Sequence, residues 1–268
     1  MAQTDMKKLN DILSGRLSAY GFCSFESLKD SLIRCRALSR LPQNSRGVIT
    51  ALFPYSLGDE AYENSNISRY ACVADYHVVA LKILNDLCDE LKKEWPCEEF
   101  VPFVDNSPVA EVYAAALSGL GKIGSNGLLI NDDYGSWVFI GEIVTTLEFE
   151  NLTAPSHCIG CGMCEKKCPS GAISNGKIDK EKCLSDITQC KGELTDGQKE
   201  MIKLSGCAWG CDVCQVVCPH NADVKVTDID EFRNTFSPFA DPENLEGKAY
   251  GWRGAKVIER NLQILDGE

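Results

Sequence analysis

Four cysteines within eleven residues, Cys158, Cys161, Cys164 and Cys168, followed at once by Pro169, constrain this chain more than any other feature. The run reads C-x2-C-x2-C-x3-C-P, the spacing in which three thiolates hold one iron-sulfur cluster and the fourth reaches a second. Three sulfurs placed two residues apart can wrap one cube. The fourth, launched from a helical turn before proline, points the other way. A second run, Cys211, Cys214, Cys218 and Pro219, repeats the pattern without its leading cysteine, Ala208 standing in that place. By the crossover logic, Cys158, Cys161, Cys164 and Cys218 hold one 4Fe-4S cluster, while Cys168, Cys211, Cys214 and one remote thiolate hold the other. Cys183, Cys190 and Cys207 are the candidates for that remote ligand. Zinc competes for crowded thiolates, but its structural sites usually take two separated pairs. Two clusters this close form an electron wire.

The chain has 268 residues, enough to bury a sizeable core in one large or two modest domains. Its N-terminus lacks the apolar block of a signal peptide, and no apolar run is long enough to span a bilayer. A cytoplasmic protein with no membrane partner is expected. In a reducing cytosol fifteen cysteines make an unlikely disulfide framework, so their clustering points to metal or redox chemistry. The net charge of -12 argues against a surface built throughout for nucleic acid.

Leu9, Ile12, Leu13 and Leu17 recur at helical spacing, and Tyr76, Ala80, Ile83, Leu84, Leu87 and Leu91 trace one face of a long helix over 73–95, stopped by Pro96. "GVITALFPY" from Gly47, "EEFVPFVD" and "GSWVFIGEIVTTLEFE" read as strands, and "PVAEVYAAALSGLG" as a helix with Pro108 in its first turn. Mixed strands and helices predict an α/β or α+β sandwich of helices on a sheet. The composition then changes abruptly, since ten of the fifteen cysteines lie between Pro155 and Asn221. Three units are expected: a body over 1–153, a ferredoxin-like module over 154–222 and a tail over 223–268 packing on the body. The single cysteines Cys23, Cys35, Cys72, Cys88 and Cys97 read as small buried hydrophobes.

Gly119, Gly121 and Gly124 satisfy G-x-G-x-x-G, but a dinucleotide site needs a strand before the glycines and a helix after them. Here an alanine-rich helix precedes and a strand follows. A tight turn, or backbone approaching a flat cofactor, is the better reading. His77, on the long helix, and His157 and His220, flanking the cysteine runs, read as structural or solvent-facing residues.

Beyond the cysteines, "ISRYACVADYH" (67–77), "FVDNSP" (103–108), "GLGKIG" (119–124), "GSWVFIGEI" (135–143), "WGCDVCQVVCP" (209–219) and "WRGAKVIERN" (252–261) follow one another in this order. Together they resemble the epoxyqueuosine reductase family, cobalamin enzymes with two 4Fe-4S clusters and a core similar to that of reductive dehalogenases. The resemblance implies Cys183, in "KEKCLSD", as the remote ligand, leaving Cys190 and Cys207 spare. It implies Asp105 as the proton donor beside the corrin, and Arg36, Ser185 and Asp212 as residues lining the cofactor. As a bare sequence feature, Asp105 also reads as a cap of the following helix. The implied activity is reduction of epoxyqueuosine in tRNA, with electrons from a flavodoxin- or ferredoxin-type donor. The chain departs from the family pattern at Ser125, where lysine is usual, and at "SPVAEV", which replaces an "APVLER"-like segment. It also ends at Glu268 without the helical repeat domain of many members. Two other functions compete: an electron carrier without corrin, and a corrinoid reductase with a substrate other than tRNA.

Overall fold

The computed structural model describes residues 3–267. Helix α1 (Gln3–Ser14) leads into strand β1 (Ala19–Ser24), two 3-10 turns, and strand β2 (Gly47–Pro54). Helix α2 (Tyr76–Glu94), strand β3 (Phe100–Val104) and helix α3 (Glu111–Leu117) follow, then the short ladder β4 (Lys122–Ile123) and β5 (Leu129–Ile130), and strand β6 (Val138–Thr145). The four long strands form one sheet in the order β1-β2-β6-β3. Every pairing in it is antiparallel, so the body is the α+β alternative.

Alternation along the strands explains the layering. Ile49, Ala51, Phe53 and Ile143 pack with Leu9 and Leu13 of α1 and with Leu84, Leu87 and Leu91 of α2. Val48, Phe103 and Val144 face the other way, onto Ala114 and Leu117 of α3. The sheet is therefore covered on both faces, as expected of an internal layer.

Local chemistry moves several boundaries from their expected places. Helix α2 starts at Tyr76 rather than at 73, because Asp75 caps it by accepting the His77 N–H. Helix α3 starts at Glu111, beyond Pro108, whose carbonyl instead accepts from the Ile33 amide at 2.8 Å. Strand β1, six residues with one glycine, was not expected from the sequence. Its Gly21 is required, since a Cβ there would collide with the Ser118 carbonyl oxygen at the end of α3. In "GLGKIG", helix α3 precedes the glycines and strand β4 begins inside them. A Cβ on Gly121 would strike the Ile130 carbonyl oxygen, so this segment is a turn folded tightly on its own chain. Of the single cysteines, Cys23, Cys72 and Cys88 are buried, Cys35 is half-buried, and Cys97, just past Pro96, is exposed.

The cysteine-rich part contains α4 (Met163–Lys167), the short ladder β7 (Ile173–Ser174) and β8 (Lys177–Ile178), α5 (Leu184–Gln189), α6 (Asp196–Ser205) and α7 (Val213–Val216). The remaining chain adds α8 (Asp230–Asn234) and α9 (Ala255–Asp266). Trp209 joins all three regions: it is fully buried among Ile67, Ala71, Tyr250 and Ile258, and its indole N–H donates to the Tyr70 hydroxyl at 2.7 Å. Asn261 of α9, also buried, donates to the carbonyls of Thr188 and Ala208. Among the described residues, no helix is long and apolar enough to cross a membrane.

Candidate functional site

The cysteines fall into two groups. Gly160 and Gly162, at φ 65° and 71°, curl the backbone between Cys158 and Cys164. Cys158, Cys161 and Cys164 thereby line one small cavity together with Cys218 from the second run, Ser125 and His220. Their mutual placement is close enough that thiolate charge on Cys161, Cys158 or Cys164 would raise the pKa of Cys218, after the effect of its burial. Cys168 belongs elsewhere. Burial first, and then the charges of Cys183 and Cys168 among others, push Cys211 up to about 11, and burial chiefly holds Cys214 up at about 12. Cys183, at the start of α5, and Cys211 and Cys214, at the start of α7, open onto one interior cavity. Among the described residues no three His, Cys, Asp or Glu side chains close on one point as they would around a single ion. The cysteines stand around cavities instead. Cys190 is exposed and Cys207 donates to the Trp209 carbonyl at 3.1 Å, both outside these groups.

An interior cavity of about 370 Å³ lies between the body and the cysteine module. Asp105, Ser185 and Asp212 all line it, so three of the four residues expected at a cofactor site come together. Arg36 does not join them. It sits on the exposed 3-10 turn Arg36–Arg40, whose Ala37 takes the core position. Asp212 is raised to about 6 by burial, against the opposing pull of the Arg69 N–H and guanidinium. Its Oδ2 accepts that N–H at 2.6 Å. Arg69 is itself buried, with its guanidinium over the rings of Trp137 and Tyr62 at 4.3 and 4.7 Å.

Asp105 follows β3 with φ 57°, a left-handed backbone that Asp tolerates better than most residues. Its Oδ2 lies 3.1 Å from His77 Nε2, and His77 Nδ1 lies 2.7 Å from Asp75 Oδ1. The helix cap that shortened α2 is thus one end of an Asp75–His77–Asp105 chain. Burial disfavours the charged imidazolium, but the hydrogen bonds to Asp105 and Asp75 outweigh it and raise His77 to about 9. A second cavity, about 540 Å³, shares Tyr70, Tyr76 and Asp105 with the first and adds Asp75, His77, Gln189 and Trp252. Asp105 therefore stands in the partition between two spaces.

Behind Asp105 lie two acids that the sequence did not single out. Glu111 is raised to about 7 by burial and by the charge of Asp105. Glu142, on β6, is fully buried with neither carboxyl oxygen hydrogen-bonded, and burial followed by Glu111 keeps it well above the usual carboxylate range. Its only sequence signal was an acid inside an otherwise apolar strand. Two histidines stand beside these spaces: His77 lines the second cavity, and His220 lines the small cysteine cavity and has a buried Nε2 without a hydrogen-bond partner among the described residues.

The elevated His77 pKa has a testable sign. The stability it confers is fully present below its unfolded value near 6.5 and is lost as pH rises through about 9. Denaturant unfolding of wild type and His77→Gln should show a wild-type advantage that declines between pH 6.5 and 9. A difference independent of pH would refute the charged-His77 description.

A body of helices on an antiparallel sheet, joined to a module with two cysteine groups, defines the class: an α+β protein with a double-cluster module. The sequence profile described as "4Fe-4S double cluster binding domain" matches residues 157–221, and that described as "Epoxyqueuosine reductase QueG, DUF1730" matches residues 34–106. The chain is 34% identical over 216 residues to the epoxyqueuosine reductase of Lactococcus garvieae, covering 75% of this chain and 61% of that protein. It is 38% identical over 194 residues to that of Gloeobacter violaceus, covering 70% of this chain and 60% of that protein. Both matches span less than two thirds of the relatives' own lengths. An epoxyqueuosine reductase solved with an epoxyqueuosine-modified tRNA-Tyr stem loop superposes with a TM-score of 0.80 at 25% identity, over 98% of this chain and 80% of that one. A reductive dehalogenase described as B12-dependent shares the fold at a TM-score of 0.52 and 15% identity, over 98% of this chain and 37% of that one. Over most of its length the chain is similar in sequence and in fold to epoxyqueuosine reductases.

Proposed function

We propose that this protein is an iron-sulfur and cobalamin-dependent reductase that converts epoxyqueuosine in tRNA to queuosine, with its active site at Asp105. The carrying observation is that Cys183, Cys211 and Cys214 line one cavity with Asp105, so an electron source and a proton source meet there. We assign Cys158, Cys161, Cys164 and Cys218 to one 4Fe-4S cluster and Cys168, Cys183, Cys211 and Cys214 to the other. The donor chemistry fits: the raised thiols of Cys183, Cys211 and Cys214 in a shared wall are costly to ionise alone, and a cationic iron-sulfur core supplies the missing positive charge. The corrin is assigned to the cavity that Cys183, Cys211 and Cys214 line. Its wall combines aromatic and aliphatic surface from Tyr55, Phe139, Val138 and Ile140 with a few polar groups, Ser185 and Asp212 among them, which suits a broad ring with amide arms. The units 1–153, 154–222 and 223–268 are assigned to corrin binding and catalysis, to the clusters, and to the packed tail.

When bound, low-valent cobalamin supplies the electrons for opening an electrophilic carbon-oxygen bond. Loss of the epoxide oxygen consumes two electrons and two protons and releases water. Asp105, placed between the cavities, delivers a proton to the departing oxygen. His77 Nε2–H, 3.1 Å away and protonated at neutral pH, restores it, and Asp75 holds the imidazole in orientation. The outer cavity receives the substrate. Electrons come from a small flavodoxin- or ferredoxin-type carrier in the cytoplasm. The net charge of -12 favours a second reading in which the same machinery reduces an electrophile not borne on tRNA.

The test is anaerobic purification, reconstitution with iron and sulfide, addition of cobalamin and gel filtration, followed by an assay on epoxyqueuosine-containing tRNA. Retained corrin absorbance and loss of the epoxide are expected. Failure to retain corrin makes the protein an electron carrier, whereas retention without conversion shifts the substrate.

A further inference from the structure

Ser125 and His220 belong to no step above, yet both face the first cysteine group. The Ser125 amide and hydroxyl each lie 3.4 Å from Cys158 Sγ. The small cavity that Cys158, Cys161, Cys164 and Cys218 share is walled by both residues. His220 Nε2 is shielded from solvent and has no hydrogen-bond partner among the described residues. A shielded ring nitrogen without a partner is costly, so such an atom points to a group that completes it. The surroundings otherwise leave this cavity open to the surface: Cys161 is exposed, and Ile159 beside it is 70% exposed.

We propose that Ser125 and His220 donate hydrogen bonds to the sulfur atoms of the first cluster and raise its reduction potential, making it the surface port that accepts electrons. Reduction adds negative charge to the cluster, and part of that charge resides on sulfur. Donors aimed at sulfur stabilise the reduced state more than the oxidised one, which moves the potential upward. The inference rests on assigning Cys158, Cys161, Cys164 and Cys218 to one cluster.

The experiment is an anaerobic redox titration of the reconstituted protein followed by electron paramagnetic resonance, for wild type, Ser125→Ala, Ser125→Thr and His220→Phe. Iron and sulfide are counted in each sample first, so a missing cluster is distinguished from an unshifted one. Ser125→Ala and His220→Phe should each move one of the two reduction waves to more negative potential and leave the other in place. Ser125→Thr, which keeps the hydroxyl, should titrate with wild type. Unmoved waves in both variants, with full iron content, overturn the proposal. If a variant fails to load, electron-nuclear double resonance of the wild type in deuterated and ordinary water decides instead. Exchangeable protons coupled to the cluster are expected, and their absence overturns it.

Discussion

Asp105→Asn is expected to lower turnover about 10²–10⁴-fold, the usual contribution of a positioned general acid, while iron content and corrin retention stay at wild-type levels. The substitution isolates the proton from the scaffold. Asparagine, like aspartate, tolerates the left-handed backbone that position 105 adopts at φ 57°, and it keeps the side-chain shape. An amide carries no acidic proton, and it presents a weaker acceptor to His77. The His77 pKa should therefore fall from about 9, which proton titration by NMR would register independently of activity. Unchanged turnover would place the proton source elsewhere, with Glu111, raised to about 7 in the same cavity wall, as the next group to substitute.

Cys214→Ser is expected to reduce bound iron from about eight to about four atoms per chain and to abolish turnover, because a serine hydroxyl does not replace the thiolate that a 4Fe-4S cluster requires. Cys214 is chosen because it opens onto the cavity shared with Asp105, so its cluster is the one that must pass electrons on. Cys190→Ser is the matched control. That thiol is exposed, donates to the Asp186 carbonyl and should be dispensable. Retention of about eight irons in Cys214→Ser, or loss of iron in Cys190→Ser, would contradict the partition of ligands.

The cysteine groups were legible because ligand spacing is a local property. Cys158 to Cys168 fix their own geometry through two glycines and one short helix, and the crossover of Cys218 follows from the same arithmetic. Cys183 was not legible in this way. Spacing left it level with Cys190 and Cys207, and only the resemblance chose it; in the structure it starts α5 and faces the cavity, whereas Cys190 ends that helix in solvent. The meeting of His77 with Asp105 was not legible for a related reason. The neighbours of His77 in sequence describe an amphipathic helix, but its partner Asp105 arrives from the end of β3, and no periodicity reports that meeting. Arg36 shows the reverse: a motif position does not show which way a short turn directs its side chain, and packing of Ala37 turns Arg36 outward. Glu142 read as part of a strand, correctly, but its complete burial between Thr50 and Phe103 in the sheet, with no hydrogen bond to its carboxyl among the described residues, is a product of tertiary pairing.

The strand order β1-β2-β6-β3 has a consequence for synthesis. A ribosome releases β1 and β2 early, and they can close on each other, but β3 must wait beside an unfilled gap until the wedge between β2 and β3 is translated. That wedge emerges just before the first cysteine run, so long-range pairing, the slow part of assembling such a sheet, is poised to finish as the thiols appear. Delivery of iron and sulfide to a nascent chain would then meet a scaffold already shaped to receive them, and a mutation that delays the wedge should surface as defective metal loading before it surfaces as misfolding.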